Sequence, residues 1–161
     1  VSRSGLVTVT GGKWTTYRAM AEDVLQKCFA RDLLPRKAAG ATARFRLVGG
    51  DGPEQGWRSI ADAPGLHSYG SEQDQIQALP GAARQLGGGL SEAMVRFAAR
   101  YEYARTVEDV LARRSRLLFL DARLARSLAQ PVAEILQQET GSDPQMDAFL
   151  ALTDKYLRLP D

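Results

Sequence analysis

GLVTVTGGKWTTYRAMAEDVL, residues Gly5 to Leu25, is the stretch that sets the reading of the whole chain. Leu6 to Val9 are apolar or β-branched, which predicts a short buried strand. Gly11 and Gly12 follow, and two adjacent glycines predict a sharp turn. From Trp14 the apolar spacing becomes helical: Tyr17, Met20, Ala21, Val24, Leu25 and Cys28 fall along one face. Strand, double glycine, lysine and helix together suit an anionic or electron-rich ligand. Glycine lets a ligand approach the backbone, the helix start offers unused N–H groups and a positive dipole end, and Lys13 adds a full charge. The bland alternative is a glycine turn between two elements. The turn is no Walker loop, because Val7 stands where that motif needs Gly and Trp14 where it needs Ser or Thr. It is no GxGxxG dinucleotide turn either.

The literal string closely resembles the last flavin-contacting segment of the FAD-dependent, respiratory glycerol-3-phosphate dehydrogenases. A second string, ARYEYARTVEDVLARRSRLLFLDARLA from Ala99 to Ala125, resembles the signature of that family's C-terminal helical domain. VAEILQQETG, from Val132 to Gly141, and LHSYG, from Leu66 to Gly70, are also similar to it. The blocks come in the family's order, and the match is poorest between Pro35 and Gly89. The resemblance implies a C-terminal fragment of an enzyme that oxidises sn-glycerol 3-phosphate to dihydroxyacetone phosphate and passes electrons to quinone. It implies that FAD binds through Gly11, Gly12, Lys13, Trp14 and Thr15, with the glycine–lysine turn against the pyrimidine side of the isoalloxazine. Lys13 also faces the substrate phosphate or the flavin. The dinucleotide turn and the family's substrate-facing histidine are missing, since His67 lies in no matching motif. No catalytic residue is therefore expected in the fragment, which should neither retain FAD nor turn over alone. The implied partners are glycerol 3-phosphate, a quinone acceptor, the protein's own N-terminal FAD domain, a second copy in a homodimer and a peripheral membrane contact. The implied location is cytoplasmic, on the inner face of the cytoplasmic membrane. Two alternatives stay open: a glycerol-3-phosphate oxidase that uses oxygen, and a free-standing helical interaction module.

Composition sets the outer bounds. The 161 residues suffice for one domain with a proper core, and 44% hydrophobic with 25% charged content is that of a globular protein. No apolar run is long enough for a transmembrane helix, and the first residues do not read as a signal peptide. A net charge of +2 argues against nucleic acid as a partner. With one cysteine, Cys28, and one histidine, His67, no internal disulfide and no usual zinc site is expected.

The predicted fold is mainly α: a strand–turn–helix remnant of an FAD-binding domain over residues 1–34, a linker over 35–56, and an α-helical domain of about five helices over 57–161. The linker reading rests on the glycines and proline crowded between Gly49 and Gly56. Short helices are expected around Trp57 and Ile60, and from Ser71 to Leu79. A loop should fill Pro80 to Gly89. Ser91 opens the main helical body, which its dense stripes predict to fold independently. Thr106 with Asp109 three residues on reads as a capping box opening a helix to about Arg114. Asp121 caps the next helix, Pro131 forces a kink or fresh start, and Gly141 stops it. Ser142 and Asp143 are expected to cap a last helix with Pro144 in its first turn. The arginines from Arg96 to Arg126 alternate with Glu102, Glu108, Asp109 and Asp121, a pattern of helix-surface ion pairs rather than a nucleic-acid face.

Overall fold

The structure is a computed structural model that describes residues 1–35, 40–50 and 64–158. The chain divides into two compact units, Val1–Arg46 and Leu47–Asp161. The division falls inside the segment that the sequence reads as a linker. The helix expected around Trp57 and Ile60 lies outside the described residues, as does much of that segment.

The first unit is one helix with a turn in front of it. A 3-10 turn over Trp14–Thr16 leads into α1, Tyr17–Ala30. Leu6 to Val9 form no strand, which corrects the expectation for that stretch. A strand needs a neighbour for its N–H and C=O groups, and the described residues of this unit supply none. Thr16 does not cap α1: its hydroxyl donates to the Lys13 carbonyl at 2.9 Å instead. Cys28 is the one buried residue of the described unit, while Leu6, Trp14, Tyr17 and Leu25 stay exposed.

The second unit carries the core, and the mainly α class holds. A 3-10 segment, Leu66–Glu72, runs into α2, Gln73–Gln77. The helix begins two residues later than the sequence predicts, with no side-chain cap at its start, and the Ser71 N–H donates to the Gly49 carbonyl at 3.2 Å. The loop expected over Pro80 to Gly89 contains part of a small antiparallel hairpin, β1 (Gln85–Gly87) and β2 (Leu90–Ser91). Its turn works because Gly87, Gly88 and Gly89 all sit at positive φ.

Ser91 opens α3, Glu92–Tyr101, and its hydroxyl accepts from the Met94 N–H at 3.3 Å. Met94 closes the box with its thioether, 3.5 Å from the Ser91 N–H, in place of the usual acid. Thr106 and Asp109 cap reciprocally as predicted, at 2.9 and 3.2 Å. The turn that follows, Asp109–Arg114, is π-helical, and Ser115 N–H reaches back five residues to the Val110 carbonyl. Then come α4 (Leu117–Leu120), α5 (Ala122–Ser127) and α6 (Ala129–Thr140). Asp121 caps α5 through the Leu124 N–H at 2.9 Å. Pro131 sits in the first turn of α6, where its missing N–H costs nothing, so the fresh start is the outcome. Gly141 ends α6 in the left-handed conformation, with φ 67°.

The last helix, α7, is Met146–Leu157 and begins later than expected. Asp143 accepts from the Gln145 N–H at 2.9 Å, but Pro144 is spent outside the helix, its carbonyl held by the Val107 N–H at 2.9 Å. α3 packs on α6, α5 on α7 and α4 on α5. Phe97, Leu111, Leu136 and Phe149 are fully buried between them. Ile76 of α2 joins the same core, with Leu66 and Tyr69 packed against it, so the core begins well before Ser91.

Candidate cofactor site

The residues expected to hold FAD lie together in the turn before α1. Gly11 and Gly12 take φ of +72° and +120°, conformations that side-chain-bearing residues rarely adopt. A Cβ on Gly12 would meet the Met20 sulfur at 2.1 Å, so α1 itself folds back over that glycine. Beside Gly11 nothing lies within 4 Å, which leaves its face open. Val7, Gly11, Gly12, Met20 and Val24 help line an open cleft of about 450 Å³.

Lys13 is extended, at φ −86° and ψ 144°, and its carbonyl accepts from the Thr16 N–H at 2.9 Å. Its ammonium has no hydrogen-bond or ion-pair partner among the described residues. The same holds for the N–H groups of Gly12, Lys13, Trp14 and Thr15, as expected of residues that open a helix. Trp14 is 87% exposed, its ring 5.6 Å from that of Tyr17. Open space at a glycine, several free donors and one free cation form a donor set for an electron-rich or anionic group. The residues present therefore fit the pyrimidine edge of a flavin or a phosphate. Met20 is the contributor that sequence reading did not single out. Its helical position signalled an inward side chain, but not that Gly12 would be its target.

Several arginines of the second unit are engaged in ion pairs. Arg96 donates to Glu92 at 2.5 Å and to Glu139 at 2.5 Å, and Arg100 grips Glu139 at 2.6 and 2.8 Å. Arg84 completes the chain to Glu92 at 2.8 Å, tying the hairpin to α3. Hydrogen bonds from Arg96 and Arg84 hold the Glu92 carboxyl below its ordinary pKa, and those from Arg100 and Arg96 do the same for Glu139. Arg113 pairs with Glu108 and Asp109, and Arg126 with Asp154. Among the described residues no helix is long and apolar enough to cross a membrane.

Known proteins align with most of the chain. A mitochondrial glycerol-3-phosphate dehydrogenase of Arabidopsis thaliana is 34% identical, over 84% of this chain and 26% of that protein. The mitochondrial enzyme of Schizosaccharomyces pombe is 30% identical, over 96% and 29%. The human mitochondrial enzyme is 28% identical, over 89% and 22%. The chain thus spans about a quarter of the length of these relatives. No solved structure matches it. The family described as the C-terminal domain of alpha-glycerophosphate oxidase matches residues 40–146, two thirds of the chain, and the chain belongs to that family.

Proposed function

We propose that the chain is the C-terminal part of an FAD-dependent glycerol-3-phosphate dehydrogenase. The whole enzyme oxidises sn-glycerol 3-phosphate to dihydroxyacetone phosphate, with quinone as the final acceptor. The observation that carries the reading is the turn itself: Gly11 and Gly12 at positive φ, with a free Lys13 and free N–H groups opening a helix. It stands in a chain whose relatives bear the dehydrogenase name. FAD, when bound, supplies the hydride-accepting chemistry. The backbone of Lys13, Trp14 and Thr15 donates hydrogen bonds to its electron-rich edge, and the positive end of α1 favours negative charge there. The Lys13 ammonium binds and orients the substrate phosphate. The second unit carries no catalytic group. The protein works with its own N-terminal FAD domain, as a homodimer, in peripheral contact with the inner face of the cytoplasmic membrane. Residues 1–161 alone are inactive and retain no FAD.

A charge-assisted contact in a shielded site is worth about 1.5–3 kcal/mol, and one decade of rate corresponds to about 1.36 kcal/mol. Lys13→Met in the full-length enzyme is therefore expected to lower kcat/KM for glycerol 3-phosphate by about ten- to a hundredfold. Lys13→Arg recovers part of the loss, because a planar fork replaces a point charge. Steady-state kinetics, with FAD occupancy measured in each variant, decide it. Unchanged kinetics in Lys13→Met at full occupancy would leave the site to the backbone alone. The family description names an oxidase, and this favours a second reading in which oxygen replaces quinone. Peroxide formation against quinone reduction by the full-length enzyme separates the two.

A further inference from the structure

A second cavity, unrelated to the glycine turn, lies wholly within the helical unit. It holds about 450 Å³, a size that suits a small organic ligand. Its floor is apolar, built from Leu90, Met94, Ala98 and Val110. Its polar wall brings together Tyr69 and Glu72 from the 3-10 segment, Glu102 at the end of α3, and Arg113 and Arg114 from the π-helical turn. π-helical turns recur at functional sites.

Among the described residues, the charges on that wall do not balance. Arg113 is already held by Glu108 at 2.7 Å and by Asp109. Arg114 spends one nitrogen on the Glu102 backbone carbonyl, at 2.8 Å, and reaches the Glu102 carboxylate only loosely, at 3.4 Å. Glu102 Oε2 is shut off from water and has no hydrogen-bond partner. A buried acceptor of this kind is costly and calls for an explanation. Glu72 has no partner among the described residues, and neither has the Tyr69 hydroxyl. Burial, followed by the Glu102 charge, pushes the Tyr69 hydroxyl well above the ordinary phenol value, so it stays a neutral hydrogen-bonding group. Among the described residues Glu72 is the carboxylate left without a compensating cation, over an apolar floor.

We propose that this cavity binds a primary alkylammonium group, with its alkyl stem on Met94 and Val110 and its charge on Glu72 and Glu102. The loose Arg114 contact leaves the Glu102 carboxylate free to turn an oxygen to the incoming cation. An anion is disfavoured, because both arginines on the wall are engaged. The group has two sources, a free small amine or a lysine side chain of another polypeptide, and both share this chemistry.

The test is amide chemical-shift titration of the 161-residue chain with n-butylammonium chloride, against sodium chloride and 1-butanol at matched concentration. Saturable shifts at Tyr69, Glu72 and Glu102 with the ammonium alone are expected. E72Q, at a half-buried position that supports no core, should weaken binding at least tenfold, and Y69F should weaken it less. Nα-acetyl-L-lysine N-methylamide is the second probe. Tighter binding of it than of butylammonium supports a polypeptide lysine as the natural occupant, and the reverse supports a free amine. No saturable shift with either probe, equal shifts with sodium chloride, or undiminished binding in E72Q overturns the proposal.

Discussion

Glu139 accepts from both Arg96 and Arg100, and its side chain is 9% exposed. Replacing it leaves Arg100 unpaired while Arg96 keeps Glu92 and the Gln138 side-chain oxygen, so the loss is smaller than for an isolated buried pair. Hydrogen bonds to charged groups contribute about 1.5–3 kcal/mol, and Glu139→Gln should destabilise the fold by about that amount at neutral pH. The pH dependence follows from the sign of the shift. Arg100 and Arg96 hold the Glu139 carboxyl below its ordinary value, so folding favours the ionised form. This stabilisation is fully present above the unfolded-state pKa, near 4.3, and is lost as pH falls through the lower folded-state value. Urea unfolding from pH 7 to pH 3 is expected to show wild type and Glu139→Gln converging at the acid end. A constant gap across the range would mean that Glu139 acts by packing.

At the scale of elements, the hairpin depends on Gly89 more than on either short strand. Its φ is +79°, and a Cβ there would fall 1.7 Å from the Pro64 carbonyl oxygen. That oxygen belongs to backbone, so the clash cannot be relieved by a side-chain rotation. Gly89→Ala combines this with a strained conformation, which alone costs of order 1–3 kcal/mol. A loss of at least about 2 kcal/mol in denaturant unfolding is expected. Gly11→Ala carries the same kind of strain, at φ +72°, but no clash, since nothing lies within 4 Å of its Cβ position, so it should cost less than Gly89→Ala. A Gly89→Ala protein as stable as wild type would show that the hairpin shifts freely against Pro64.

Across the whole molecule the two units differ in what holds them. The helical unit buries Phe97, Leu111, Leu136 and Phe149 in one core, whereas α1 buries only Cys28. An isolated helix of that length is marginal in water. Native-state hydrogen exchange should find α1 amides opening at less than about 2 kcal/mol, while α3 amides reach the global value. Limited proteolysis should cut within α1 before it cuts within α3 to α7. Because Ile76, Leu66 and Tyr69 belong to the core, a piece beginning at Leu47 should outlast one beginning at Ser91. Equal protection in α1 and α3 would refute this division of stability.

Local chemistry determined much of this protein directly from sequence. Helical stripes marked α1, α3, α6 and α7, because their apolar periods are long. The Thr106–Asp109 box, the Asp121 cap, the Pro131 restart and the Gly141 stop are interactions within a few residues, so they were legible before any fold was known. The double glycine and Lys13 marked the candidate site for the same reason. Tertiary structure decided what depends on distant partners. Leu6 to Val9 have strand-like residues but no neighbouring strand among the described residues. Pro144 lies outside α7 because Val107, far back in the chain, takes its carbonyl. Met94 replaces an acid in its capping box because the hairpin and α2 bury that site. The pairing of Arg96 and Arg100 with Glu139, and the imbalance of charge around Glu102, arise only when α3, α6 and the π-helical turn are packed, since no spacing along the chain encodes which charges will face one another.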